Sequence, residues 1–543
     1  MMQTKQHKST MNRRCMYRAL LRGWPLWALA ILLGSCTNLE EETFSVVTPD
    51  KFYRTDREIT AALAPIYAQL RALEWSYWNM SQVTTDETVV PTRGSDWYDD
   101  RRWLNLHEHN FSPTQVDFNG AWVDLYTGIA RANGLLQTLA EIEVANKEQI
   151  EAEVRLLRAF YYYCLLDLFG NVPIVGDDEF VVDPNNPPPT EPRSRVYQFV
   201  ESELQAARQN LPETPPLPGR VTKWVADALL ASLYLNAGVF TKNSNQINAN
   251  GYNSCMDVPN ACQKAVQHAD NVINSGYFQL AANWFQNFLP DNHSSPEIIF
   301  ATQHLPEPGL GMNFVMRTLH YSQLTPSPWN GHSILAETYN LFDDADLRKT
   351  IFLVGQQYAE PRGNCIGRQC YSQGTPLQDR AGNPLAYTPT INNVFAATEY
   401  EGVRVLKYGP DPAHVGGDHG NDFAWFRLAE MYLIKAEALN EMKNGPNDES
   451  INLINQVRAR VFDPPKPLNL ADYPTKEALR EAILNERLFE FTWEAKRRQD
   501  LIRHGKYTRA YQFKPQSPQR VLLLPIPQAQ LDANPNLRQN PGY

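Results

Sequence analysis

The stretch TKWVADALLASLYLNAGVF, residues 222–240, restricts the fold more than any other. Thr222 stands at an N-cap position. Ala226, Ala228, Ala231 and Ala237 are small enough to let neighbouring helices approach closely. Such a helix needs partners, and the chain supplies them. AWVDLYTGIARANGLLQTL sets Trp122, Leu125, Tyr126, Ile129, Leu135, Leu136 and Leu139 close to one helical stripe. IEAEVRLLRAFYYYCLLDLFGNVP is closed by Gly170 and Pro173, SRVYQFVESELQAARQNLP by Pro212, and ACQKAVQHADNVINSGYF by Gly276. Late in the chain FAWFRLAEMYLIKAEALNEM, DESINLINQVRARVF and TKEALREAILNERLFEFTWEAKRRQDLIRHG also read as helices. Paired helices with small residues at their contacts predict tetratricopeptide-like stacking. The spacing does not keep the roughly 34-residue period of that repeat, so the pairs are irregular. The predicted class is mainly α: irregular TPR-like helical pairs forming an α/α superhelical scaffold, with long loops carrying the ligand surface.

The Pro-rich connections DPNNPPPTEP and PETPPLPG read as extended loops within one body, because helices of the same style resume after them. Residues 280–420 differ. They are rich in Gly, Pro, Asn and aromatics and poor in helical period, and a loop region of that length is usually functional.

At the N-terminus Lys5, Lys8, Arg13, Arg14, Arg18 and Arg22 precede a ten-residue apolar run, Trp24 to Leu33, with no acidic residue before Ser35. A basic segment followed by so short an apolar run is a secretory signal, not a membrane span. Translation starts at Met1 or, giving a shorter basic segment, at Met11. Leu33-Gly34-Ser35-Cys36 resembles a bacterial lipobox, in which the cysteine is acylated and becomes the first mature residue. The alternative is an ordinary signal peptide with an incidental cysteine. Several acyl chains on Cys36 anchor far better than one. The run Glu40, Glu41, Glu42 resembles the surface-export signal of Bacteroidota-type lipoproteins; a flexible charged tether is the other reading.

With 43% apolar and 20% charged residues, the 543-residue chain suits a folded body with a sizeable core. Its formal charge of −10 becomes −16 once the six basic residues of the leader are removed, which argues against nucleic acid as a partner. Among the cysteines, Cys255 and Cys262, and Cys365 and Cys370, lie near enough in sequence to close small disulfides; sequence alone leaves both open. Cys164, on an apolar helical stretch, reads as a buried thiol. No C-x-x-C pair or His cluster accompanies them, so zinc is disfavoured.

No catalytic motif stands out: there is no G-x-S-x-G, H-E-x-x-H, P-loop or dinucleotide fingerprint. GGDHGND, residues 416–422, reads as a surface turn, with a structural calcium ion as the alternative. Two carboxylates suffice for a glycosidase, so a surface glycoside hydrolase stays open. What stands out is aromatic density. DWYDDRRW sets Trp97, Tyr98 and Trp103 among Asp96, Asp99, Asp100, Arg101 and Arg102. YSQLTPSPWNGH offers Tyr321, Trp329 and Asn330 without helical period. Sugars present apolar C–H faces and many hydroxyls, and rings flanked by carboxylates and guanidinium groups bind both. Asp96, Trp97, Tyr98, Arg102, Trp103, Tyr321, Trp329 and Asn330 are therefore the candidate ligand residues, with Trp97, Tyr98, Trp103 and Trp329 expected to face one shallow, solvent-open site. The bland reading is that these rings cover the core under the loops.

LRAFYYYCLLDLFGNVPIV (157–175) resembles the N-terminal helical motif of SusD/RagB-type nutrient-binding lipoproteins. NDFAWFRLAEMYLIKAEALNEM (421–442) with LINQVRARV (453–461) resembles their central motif, and ILNERLFEFTWEAKRRQDLIRHGKY (483–507) their C-terminal one. Glu486, Arg487, Glu490, Glu494, Arg497, Asp500, Leu501, Arg503 and Gly505 match the last pattern. Ala495 replaces its usual glycine, Arg498-Gln499 its aromatic pair and His504 its tryptophan. These departures are read as changes within a structural helix. In that helix Glu486, Glu490 and Glu494 share one face, and Arg497 and Arg498 follow Glu494 at i+3 and i+4. The reading is an ionic network tying the last helix to its neighbours, in preference to an acid–base site. The resemblance implies a leader (1–35) and a single SusD-like body (36–543), with an N-terminal part (about 36–240) and a RagB/SusD part (about 241–543). It implies a non-enzymatic outer-membrane lipoprotein, exposed at the cell surface. Such proteins cap a SusC-like TonB-dependent barrel and capture an oligosaccharide, or a peptide as in RagB-like members. No cofactor is implied.

Overall fold

The computed structural model describes residues 55–175, 183, 185–359, 365–443 and 445–543. The leader, Cys36 and the acidic run lie outside the described residues.

The body is mainly helical, as the periodicity predicts. Helix Val116–Glu141 packs on Lys147–Leu168, that on Arg193–Asn210, that on Lys223–Leu235, and that on Ala261–Ile273, each against the next in chain order. The alanine-rich helix is the most enclosed: every residue from Trp224 to Leu235 is buried between its neighbours. Thr222 is its N-cap residue by backbone geometry, though its hydroxyl makes no capping bond. Gly170 and Gly276, the predicted stops, have φ of +70° and +77°.

The stack then skips a long segment. Ala261–Ile273 packs on Leu428–Met442, which carries Asp448–Arg458 and Lys476–Phe491. The described residues between 274 and 427 form an excursion of short helices and short strands, two of the strands five residues long. Its ends are fastened together: strand Ile298–Thr302 pairs antiparallel with Phe423–Arg427, Ile298 facing Arg427 and Thr302 facing Phe423. FAWFR is thus a strand, where the sequence reads as the first turns of a helix. Its large side chains are all buried in an extended backbone, and the helix starts only at Leu428.

The C-terminal signature also departs from one continuous helix. Lys476–Phe491 ends in a tight turn and Arg497–Arg503 starts anew. Trp493 and Ala495 take φ of +68° and +60°, conformations that favour glycine. Glu494 therefore sits in the turn. Its predicted partners pair elsewhere, Arg497 with Asp86 at 2.8 Å and Arg498 with Asp167 at 2.9 Å.

The wider reading of the three glutamates as an ionic network holds. Glu486 accepts from Arg348 and Arg458, both at 2.7 Å. Glu490 accepts from Arg348 at 3.0 Å, Arg427 at 2.9 Å and Arg460 at 2.7 Å, and from the Trp284 indole at 3.0 Å. Glu494 takes Lys407 and Arg427. Burial would raise the Glu490 carboxyl, but three arginines hold it well below the usual carboxylate range. Burial pushes the Lys407 ammonium down to about 8.

Cys255 is bonded to Cys262, and Cys365 to Cys370; Cys164 is free and buried. Among the described residues no helix is long and apolar enough to cross a membrane.

Candidate ligand-binding site

The two aromatic stretches meet. The Trp97 indole donates to the Trp329 carbonyl at 2.7 Å, and the Tyr321 hydroxyl donates to the Asp96 carboxylate at 2.6 Å. Residue 96 precedes the helical stack and residue 329 lies in the excursion, so the site joins the two.

The junction is built around unusual backbone. Trp97, Asp99, Asp100 and Arg101 take φ of +64°, +39°, +52° and +62°, and Asn330 takes +48°. Such conformations cost roughly 1–3 kcal/mol each and persist where surrounding contacts over-determine them. Here the contacts are explicit. The buried Arg93 guanidinium donates to the carbonyls of Asn330, Gly331 and Glu401 and to the Ser333 hydroxyl, at 2.8–3.0 Å. Gly331 admits the Trp97 ring: a Cβ there would lie 2.5 Å from it.

Around this junction the rings form one cluster. Trp97 and Trp103 meet edge to face with centroids 5.3 Å apart, Trp75 and Trp103 at 5.8 Å, and Trp75 and Trp329 at 6.2 Å. His332 lies beneath, 5.7 Å from Trp97 and 5.6 Å from Trp103. Trp75, Trp97 and Trp329 are half-buried, whereas Tyr98 is 51% exposed.

Three of the sequence candidates support the surface from below or beside it. Trp103 is 1% exposed, with its indole donating to Asp99 at 2.8 Å; it is core, not a sugar platform. Asn330 is fully buried and its side-chain oxygen accepts from Arg404. Arg102 forms a two-point pair with Asp117 and lies over the Trp103 ring, 4.7 Å from its centroid. Trp103 and Asn330 cannot touch a ligand, because other side chains cover them.

Beside the exposed rings lies a polar strip. Arg380 donates to Asp96 at 2.9 Å and to Glu399, and its guanidinium stands 4.4 Å over the Tyr321 ring. His320 meets Glu399 at 2.8 Å. The Tyr321 hydrogen bond and Arg380 hold Asp96 below its ordinary range. Burial works to raise Glu399, but Arg380 and His320 outweigh it and it too stays low. Burial, with Asp96 beside it, pushes the Tyr321 phenol up to about 12. At neutral pH the strip therefore presents fixed carboxylate acceptors and a fixed guanidinium donor next to open ring faces. Hydroxyl-rich rings with apolar faces match that combination.

Sequence reasoning missed Trp75, Arg380 and Glu399. Trp75 lies in an aromatic run near a helix; Arg380 and Glu399 sit in aperiodic loop with no local signal. In the 416–422 turn Asp418 accepts from the N–H groups of Gly309 and Gly311, and Asp422 accepts the His304 N–H on one oxygen; just before the turn, Asp411 accepts from Ala413 and Gly420. That fits a turn, and among the described residues no group of three or more His, Cys, Asp or Glu side chains could hold a metal.

Residues 237–543 match the SusD family model, and residues 44–235 match a model described as starch-binding, associating with the outer membrane. The chain belongs to the SusD family. SusD-like protein P2 of Formosa agariphila is 26% identical, the alignment covering 95% of this chain and 98% of that protein. The starch-binding protein SusD of Bacteroides thetaiotaomicron is 24% identical over 86% of this chain and 85% of its own. Among solved structures, surface glycan-binding protein A from Bacteroides thetaiotaomicron in complex with laminarihexaose superposes with a TM-score of 0.68 at 20% identity. It covers 89% of this chain and 99% of that one, which establishes the shared fold. SusD-superfamily members have a TPR-like helical scaffold, in agreement with the stack described above.

Proposed function

We propose that this SusD-family chain is a non-catalytic cell-surface lipoprotein, acylated at Cys36, that captures an oligosaccharide. It passes the glycan to a SusC-like TonB-dependent outer-membrane transporter. Trp75, Trp97, Tyr98, Tyr321 and Trp329 stack on sugar rings, while Asp96, Arg380 and Glu399 bind hydroxyls. The observation that carries this reading is the Trp97–Trp329 junction, which sets the exposed Tyr98 and the half-buried Trp97, Tyr321 and Trp329, from two distant stretches, beside one charged strip. The named ligands of two relatives, starch and laminarihexaose, support the glycan class. Rigid rings also suit capture, because they lose little conformational entropy on binding.

The test is a glycan and peptide array probed with the soluble body beginning after Cys36. Retention of one or more oligosaccharides unchanged in length, lost in Tyr98→Ala, is the expected result. Peptide binding without glycan binding would replace the ligand class, and shortened glycans would replace the non-catalytic reading. Mass spectrometry of the mature N-terminus decides the acylation; a free, unacylated residue there removes the anchor.

A further inference from the structure

A cavity of about 360 Å³ lies between the helical stack and the base of the excursion, and shares no residue with the aromatic platform. Its walls include Tyr277 and Trp224, and Asp422 belongs to its lining.

Tyr277 supplies the open ring, and Trp224, which is buried, backs it. Their centroids are 5.4 Å apart at a 40° tilt, and Tyr277 is 45% exposed. Both are fixed by one residue, because Glu213 accepts from the Tyr277 hydroxyl at 3.1 Å and, through its carbonyl, from the Trp224 indole at 3.0 Å. Lys223 pairs with the Glu213 carboxylate and stands 4.4 Å from the Trp224 ring centroid.

Asp422 is the anomaly. It is 5% exposed, and its Oδ1 accepts the His304 N–H at 2.9 Å. Its Oδ2 has no hydrogen-bond or ion-pair partner among the described residues, although Asn292 pairs with both the N–H and the carbonyl of residue 422. A buried carboxylate without a cation is costly unless something donates to it. Burial accordingly raises its pKa, with His304, His293 and Glu74 as the titratable neighbours. The nearby cations are already matched, Lys223 with Glu213 and Arg220 with Glu153. The cavity thus offers the Tyr277 ring face and an acceptor short of a donor; the Asp422 charge is the feature that would also suit a cation, which a cationic control tests.

We infer that this cavity is a second saccharide site, in which a neutral pyranose stacks on Tyr277, with Trp224 as the adjacent reporter ring, and donates a hydroxyl to Asp422. Its volume falls at the lower end of the usual range for small-ligand pockets, which suits one or two sugar rings. The site is independent of the platform around Trp97, and stands or falls on its own residues.

The experiment uses the soluble body labelled with 5-fluorotryptophan, with the Trp224 resonance assigned through Trp224→Phe. Maltose, cellobiose and laminaribiose are the probes, with lysine amide as a cationic control. At least one disaccharide is expected to shift the Trp224 resonance, and to do so equally in Tyr98→Ala, where the platform is impaired. Tyr277→Ala and Asp422→Asn should each weaken that response at least tenfold. Tyr277 is exposed, and asparagine keeps the oxygen that accepts from His304, so both variants should retain the wild-type melting temperature. An unmoved Trp224 resonance with all three disaccharides overturns the inference. So does a shift that survives both substitutions, or one produced by lysine amide alone.

Discussion

At the residue scale, adjacent aromatic positions have opposite roles. Tyr98 is half exposed and has no ring contact among the described residues, whereas Trp103 is enclosed by Trp75, Trp97 and His332. Tyr98→Ala should abolish or strongly weaken glycan retention while leaving the melting temperature nearly unchanged. Trp103→Ala should lose roughly 3–5 kcal/mol of stability, measured by chemical denaturation. Equal stability loss in the two variants would contradict the assignment of Tyr98 to the surface. His419 gives a pH-dependent counterpart. It is buried, accepts the Asp411 N–H on Nδ1, and burial, with His414 adding to it, pushes its pKa down to about 4. The unfolded chain therefore takes up the proton first. Stability is full above about pH 6.5 and falls as the pH drops toward the folded value, by ~1.4 kcal/mol per unit for one such group. His109 and His332 are shifted in the same direction by burial and add to the slope. The melting temperature should fall between about pH 6.5 and pH 5, because the three histidines outnumber the buried Glu87 carboxyl, which burial pushes up to about 8 and which acts in the opposite sense, and His419→Asn should flatten the decline. A melting temperature constant across that window would refute this account.

At the element scale, the segment Lys476–Arg503 shows how an ionic core fixes chain direction. Glu490 alone engages three arginines from separate parts of the chain. Removing its charge leaves those cations buried without compensation, so Glu490→Gln should cost about 3–5 kcal/mol in denaturant unfolding. A loss under 1 kcal/mol would mean the network contributes packing only. The spacing of Glu486 and Glu490 was legible because both lie on one regular helix. The turn after Phe491 was not, since periodicity continues across it and only the backbone reveals left-handed residues. Ala495, standing where the family keeps glycine, marked the place without giving its reason, which is a φ of +60°. FAWFR failed for a related cause: its partner strand, Ile298–Thr302, is more than a hundred residues away in sequence, and local pattern carries no record of that pairing. The candidate site divides along the same line. Trp97, Tyr98, Tyr321 and Trp329 were visible through ring chemistry, whereas Trp103 and Asn330 belong to the layer beneath. Arg380 and Glu399 enter only through the folding of the loops.

At the scale of the whole molecule, the family matches divide the chain near residue 236, but the buried polar contacts do not. Asp86 and Asp167 precede the division, and their cations, Arg497 and Arg498, come from near the other end of the chain. The Trp78 indole donates to the Trp493 carbonyl at 3.0 Å, and the Trp493 N–H donates to the Glu87 side-chain oxygen at 2.7 Å. Leu524 N–H reaches the last turn of helix Lys147–Leu168 at 2.8 Å, and Asn540 holds the carbonyl of Phe169 at 2.7 Å. Helix Lys223–Leu235 is covered on one side by Ala261–Ile273, again from beyond the division. A fragment ending at residue 235 would therefore expose a broad apolar face and leave two buried carboxylates without their arginines. Each loss exceeds the ~1 kcal/mol scale of ordinary surface changes, and together they approach the whole margin of a typical domain. Residues 44–235 expressed alone should show helical circular dichroism without a cooperative thermal transition. Mixed with residues 237–543, they should regain one transition, monitored identically by far-ultraviolet circular dichroism and tryptophan fluorescence. A sharp, reversible transition in the isolated N-terminal fragment would establish two autonomous domains, and the coupling through Arg497, Arg498 and Trp493 would then be dispensable for folding.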